Sequence, residues 1–126
     1  MIKELVGRWK VIGCQLHAKW LPPSIFSEFI YVINQDGSYN IEWANVTYPD
    51  FQGGFPKSDT GRVKIINDKE IDFIPDKGPF EGKSLEGLYN LDNDILKSNV
   101  AFPGNNRPNV FSSKQGEVYE IWQRIK

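Results

Sequence analysis

The sequence predicts an all-β fold, a single eight-stranded antiparallel up-and-down β-barrel with one short helix after its first strand. Three observations predict it. Aromatic residues are 13% of the 126 residues and β-branched residues recur, which suits pleated, half-buried surfaces. No window sustains the three-four apolar spacing of an amphipathic helix. Short alternating runs are separated by turn signals along the whole chain. The length fits one compact domain, residues 1–126, large enough to bury a core.

The first strand covers "RWKVIGCQLHA". If alternation runs unbroken from Trp9, then Gly13, Gln15 and His17 share its face while Cys14 and Leu16 point outward, a poor core pattern. A bulge at Gly13 repairs it by turning Cys14 and Leu16 inward and His17 towards solvent or the rim, and is the preferred reading. "LPPSIFSEF" has two prolines followed by Ser24 and holds one or two helical turns. "FIYVINQ" and "SYNIEWANV" flank Asp36-Gly37, a dipeptide suited to the positive backbone angles of a tight hairpin. "GRVKIIN" and "EIDFIP" follow around Asn67-Asp68-Lys69, then "SLEGLYNL" and "DILKSNVAF" around Asp92-Asn93-Asp94, and last "EVYEIWQRIK". The breaker-rich segments "TYPDFQGGFPKSDTG" and "PGNNRPN" read as rim loops. Eight such strands close into a barrel that removes exposed edges and encloses one small ligand, if the first strand meets the last. A two-sheet sandwich satisfies the same strand count.

Fifteen basic against sixteen acidic residues give no clustered positive charge, so nucleic acid is not an expected partner. A single cysteine, Cys14, makes no internal disulfide and no thiolate zinc site, which suits a reducing compartment. "MIKELVGRWK" lacks the uninterrupted apolar run of a signal peptide, and no stretch reaches membrane-spanning length, so a cytoplasmic location without a membrane span is expected.

Gly7-x-Trp9 on the first strand, the short helix after it, the eight strands and Arg124 near the C-terminus together resemble the lipocalin, or calycin, pattern. The detail is similar to a bacterial lipocalin-like family without an assigned activity, many of whose members are known from planctomycetes. "LVGRWKVI", "LPPSIF", "FEGKSLEGLYNLDNDILK", "PGNNRPNVFSS" and "QRIK" carry that likeness over nearly the whole chain. The resemblance implies a structural clasp of Gly7, Trp9 and Arg124: the tryptophan at the closed end, with a basic side chain from the last strand across its ring. An arginine over an indole contributes about 0.5–2 kcal/mol, and Gly7 lets the two pack closely. Arg107-Pro108 with Phe111 beyond is a recurring element of the same family.

Candidates for chemistry are few. The lone histidine, His17, has no set of converging ligands, so neither a metal nor a cofactor is expected. Asp pairs in "LDNDI" and "DFIPDK" occupy turns. Glu42 and Glu120 are the nearest candidates for acid-base work, but each alternates with large apolar residues, which favours a solvent-facing place on a half-buried strand. "GKS" lacks a phosphate loop's upstream glycine, and Ser112-Ser113 has no nucleophile-elbow context. A non-enzymatic protein is the expectation.

Alternation places Tyr39 and Trp43 on one interior face, Gly87 and Tyr89 on another and Ser98 on a third, a mixture that describes a ligand pocket or a filled core. Gly87 leaves room inside if it faces inward. Arg107 either pairs an anionic ligand group beside the opening or holds loop carbonyls. The leading expectation is binding of a small, partly hydrophobic or amphipathic ligand through Tyr39, Trp43, Tyr89, Ser98, Arg107 and Phe111. The alternative is a protein-interaction module with a filled core, its partner anchored by Tyr48, Phe51 and Phe55. The final strand has competing faces, Tyr119/Ile121/Ile125 against Val118/Trp122/Arg124, and its orientation stays open.

Overall fold

The structure, a computed structural model, describes residues 2–26, 29–43 and 57–126, and of Trp43 the backbone alone. A 3₁₀ turn at Ile2–Glu4 precedes β1 (Gly7–Leu16) and β2 (Lys19–Trp20). A single helical turn, α1 (Pro23–Phe26), leads into β3 (Phe29–Ile33) and β4 (Ser38–Trp43). The chain continues through β5 (Thr60–Ile65), β6 (Glu70–Pro75), β7 (Leu85–Asp92), β8 (Ile95–Ala101) and β9 (Glu117–Arg124).

Every hydrogen-bonded pair of strands is antiparallel, and β1 meets both β3 and β9. The eight longer strands therefore form a closed antiparallel barrel, with β2 a two-residue addition beside β1. The first half of β1, Gly7–Lys10, pairs with β3, while Trp9–Leu16 pairs with β9. Between Val11 and Gly13 the β1–β9 register shifts, which is the expected bulge. Beyond it Cys14 sits opposite Glu120 and Leu16 opposite Val118, so the strand presents its apolar residues inward again.

The strand ends at Leu16, earlier than expected, because His17 and Ala18 adopt left-handed backbone angles (φ 50° and 67°) and reverse the chain into β2. Such angles suit Asn-Gly; here outside bonds hold them. The Ala18 N–H donates to Ser113 Oγ (3.0 Å), the His17 N–H to the Glu117 carbonyl (3.1 Å), and the Gly116 N–H to His17 Nδ1 (2.9 Å). The Asp36-Gly37 hairpin joins β3 to β4, with Gly37 at φ 87°. Its Asp36 carboxylate accepts the Ser38 hydroxyl (2.6 Å) and N–H (2.9 Å), which hold that carboxyl below its ordinary value.

Residues 102–116 start and finish against the β1–β2 turn at one end of the barrel, with Phe102 5.0 Å from the His17 ring. They cross the outer wall. Asn99, facing outward from β8, donates to the Val110 carbonyl (2.9 Å), the Ser112 carbonyl (3.1 Å) and Glu117 Oε1 (3.1 Å), and Gln15 Oε1 accepts the Ser113 N–H (2.7 Å). This strap buries Asn99 and most of Tyr119, so β9 has an apolar outer face as well as an apolar inner one. The orientation left open by the sequence is thereby settled: Val118, Glu120 and Trp122 face inward, and Tyr119 and Ile121 face out.

Trp122 lies at the centre of the core. It stacks on Tyr31 (centroids 4.1 Å apart, planes at 19°), meets Phe73 at 6.1 Å edge-on and Trp9 at 6.3 Å. Each fully buried ring of this set contributes about 2–3 kcal/mol of apolar transfer, so the aromatic centre is a large part of what holds the strands together.

Candidate functional site

One end of the barrel is sealed by its own sequence neighbours. Leu5, which follows the 3₁₀ turn, is buried, and its carbonyl accepts the Trp9 Nε1–H at 2.8 Å. The Arg124 guanidinium lies 4.3 Å from the centroid of Trp9 and donates to the carbonyls of Val6 (2.9 Å) and Glu4 (2.7 Å). Gly7 has φ 140°, and a Cβ there would come within 3.1 Å of the guanidinium, so the glycine permits the approach. Gly7, Trp9 and Arg124 thus touch as a clasp. Arg8, beside them, points outward to Glu42 (2.6 Å), and both are about half exposed.

The interior holds something the strand pattern did not predict. Glu120, expected at the surface, is only 1% exposed and faces the barrel axis. Lys57, at the end of the β4–β5 connection, reaches it and is 0% exposed. Their side chains form a direct ion pair. The Tyr31 hydroxyl donates to the second carboxylate oxygen of Glu120 at 2.9 Å. Among the described residues, three rings stand around the Lys57 ammonium, with centroids at 4.2 Å (Phe73), 5.0 Å (Tyr31) and 5.4 Å (Trp122). A lysine and a glutamate sealed among aromatics neutralise each other, and the π faces take up part of the charge.

The same charges act on their neighbours. Burial, then the Glu120 carboxylate, pushes the Tyr31 phenol well above its ordinary value. Burial and Glu120 likewise push up the Cys14 thiol, with Lys57 acting in the opposite direction. Cys14 is therefore a protonated thiol, a small apolar side chain in effect rather than a nucleophile. Two further polar atoms share this interior. Ser98 Oγ, registered opposite Glu120, and Trp122 Nε1, two residues along β9 from it, are buried without a hydrogen-bond partner among the described residues. No group of His, Cys, Asp and Glu suited to holding a metal occurs among the described residues.

The residues singled out from sequence are dispersed. Tyr39 is interior, its ring 5.7 Å from Phe73 and its hydroxyl donating to the Ser58 carbonyl (3.3 Å). Ser98 lines the cluster just described. Tyr89 lies near the clasp end, donates to the Asn67 carbonyl (3.2 Å), and is pushed up by burial first and then by Glu4 and Asp68. Phe111 is on the outer strap, 6.4 Å from Tyr119. Arg107 also sits on the outer wall rather than beside an opening. It donates to Asp72 (2.8 Å), the Gly87 carbonyl (2.9 Å) and the Ile71 carbonyl (3.3 Å), with Glu70 at 3.5 Å, and so pins the strap to β6 and β7. Gly87 leaves no room for a ligand: a Cβ there would lie 2.4 Å from Val100, whose side chain fills the space. Tyr89 and Phe111 do meet, at an open groove of about 450 Å³ lined also by Asp68, Lys69, Leu88 and Asn109. The Trp43 side chain, Tyr48, Phe51 and Phe55 lie outside the described residues.

Among the described residues no helix is long and apolar enough to cross a membrane. Comparison with protein-family models, curated proteins and solved structures found no match for the chain.

Proposed function

We propose that this protein binds a small, partly hydrophobic ligand inside the barrel and carries out no reaction on it. The observation behind this reading is the pair of orphaned polar atoms, Ser98 Oγ and Trp122 Nε1, beside the Glu120 carboxylate. An unsatisfied buried polar group costs about 1–3 kcal/mol, and a ligand's polar group placed there would recover that energy. Tyr31, Tyr39, Phe73 and Trp122 supply the apolar wall that such a ligand needs. The unreactive state of Cys14 fits binding better than covalent chemistry, and a reducing, cytoplasmic setting suits a thiol with no disulfide partner.

Trp9 and Trp122 report on the interior directly. Titration with a panel of fatty acids, alkylamines, alkanols and an apolar fluorescent probe should give saturable quenching of tryptophan emission and a raised Tm. Ser98→Ala should weaken the uptake of ligands that carry a hydrogen-bonding group. A panel that leaves both emission and Tm unchanged would overturn the reading.

A further inference from the structure

We propose, resting on that reading, that the ligand class is an organic cation, a primary or quaternary ammonium, and that Lys57 occupies the ligand's cage as an internal surrogate. Among the described residues, three ring faces at 4.2–5.4 Å and one carboxylate surround this ammonium. Each component attracts positive charge: the rings through their negative faces, Glu120 through its formal charge. Chemically this is a receptor for an alkylammonium group, and the chain fills it with a tethered one.

Conservation of buried charge selects the class. A cation that displaces Lys57 keeps Glu120 neutralised and returns the lysine's ammonium to water. A neutral molecule taking the same place strands a carboxylate in an apolar interior, and an anion adds a second negative charge to it. Tyr31 contributes selectivity of its own, because its hydroxyl already donates to Glu120 and fixes one carboxylate oxygen, leaving the other for the ammonium. The two orphaned atoms sit beside the cage, Ser98 Oγ opposite Glu120 and Trp122 Nε1 on the stacked indole, where a hydroxyl or carbonyl next to the ligand's nitrogen would meet them.

The test compares n-butylammonium and tetramethylammonium with the neutral n-butanol and neopentyl alcohol, using tryptophan emission and Tm at constant ionic strength. Lys57→Met removes the tethered ammonium and leaves a neutral, flexible side chain one atom shorter, which frees the ammonium's place in the cage. It should bind n-butylammonium about tenfold or more tighter than the parent, because the tethered competitor is gone. Glu120→Gln added to Lys57→Met should abolish the preference for ammonium over alcohol. Equal affinity of Lys57→Met for n-butylammonium and n-butanol would overturn the proposal. If Lys57→Met folds only when n-butylammonium is present, that rescue supports it. If the variant fails to fold in either case, the parent decides: n-butylammonium should raise its Tm more than n-butanol at equal concentration, and an equal or smaller rise overturns the inference. Uptake of neutral probes or fatty acids without uptake of ammonium ions would reject the cation class and leave ligand binding standing. No uptake of any compound rejects both.

Discussion

Cutting the Lys57–Glu120 pair from one side and then from both should separate the energy of the pair from that of its surroundings. With Lys57→Met, the Glu120 carboxylate stays 1% exposed without its counter-charge, and loss of one partner of such a pair typically costs about 3–5 kcal/mol. With Glu120→Leu, the Lys57 ammonium keeps its three rings, which offset about 1–2 kcal/mol. That variant also deprives the Tyr31 hydroxyl of its acceptor, at about 1–3 kcal/mol. The two single costs are therefore similar, each a large share of the roughly 5–15 kcal/mol that holds a domain together. The double variant buries no charge, and its main remaining defect is the Tyr31 hydroxyl. Its cost should fall to about 1–3 kcal/mol, and Tyr31→Phe added to it should recover most of that. Urea unfolding followed by tryptophan emission gives the three free energies, provided the m-values agree. The cycle should show coupling of about 3 kcal/mol or more. Single substitutions that each cost under about 1 kcal/mol, or costs that add to within about 0.5 kcal/mol, would show that the pair is not sealed from water.

Two further outcomes follow from the local geometry. Ala18 is exposed at φ 67°, so Ala18→Gly removes about 1 kcal/mol of left-handed strain while adding backbone entropy to the unfolded chain, for a net gain of about 0.5 kcal/mol in the free energy of urea unfolding; a loss would mean that the Ala18 methyl packs against something. The folded values of Cys14 and Tyr31 are both raised, so their contribution is fully present below the ordinary thiol and phenol ranges, about 8.5 and about 10, and is lost as pH rises beyond them. Urea midpoints should hold from pH 7 to about 8.5 and fall above it, less steeply in Tyr31→Phe, and a thiol reagent should modify Cys14 only on unfolding; modification of the native protein at the unfolded chain's rate would refute this.

How much of this was legible in the sequence depends on where neighbours come from. The Asp36-Gly37 hairpin and the Gly13 bulge could be read because each is a local conflict with a local remedy: a turn needing positive φ, and a strand whose apolar residues change side after one position. The Trp9–Arg124 contact was reached through resemblance and is formed. Glu120 was misplaced for a physical reason. Alternation assumes one wet face and one dry face, but the strap over β9 makes both dry, so Tyr119 and Ile121 stand outside while Val118 and Trp122 stand inside. With apolar residues on both sides, the odd polar residue reads as the surface one. Lys57 gave no signal, since a lysine among turn formers has no periodicity and its partner is 63 positions away. The same strap misled the reading of Arg107: a breaker-rich segment announces a loop, but not which wall the loop will cross.

The seam between β1 and β9 also governs how the molecule comes together. Arg124 and Val6 are bonded across 118 positions, whereas the strand pairs from β3 to β9 each join consecutive strands. Hairpins can therefore form early and cheaply, and the ring closes last, after nearly the whole chain has been ordered. Until then the unjoined flanks of β1 and β9 are two complementary edges at opposite ends of a curved sheet, and each fits a second molecule's edge as well as its own. Refolding should therefore depend on concentration: closure of β1 on its own β9 is intramolecular, whereas pairing of those edges between molecules grows with chain concentration.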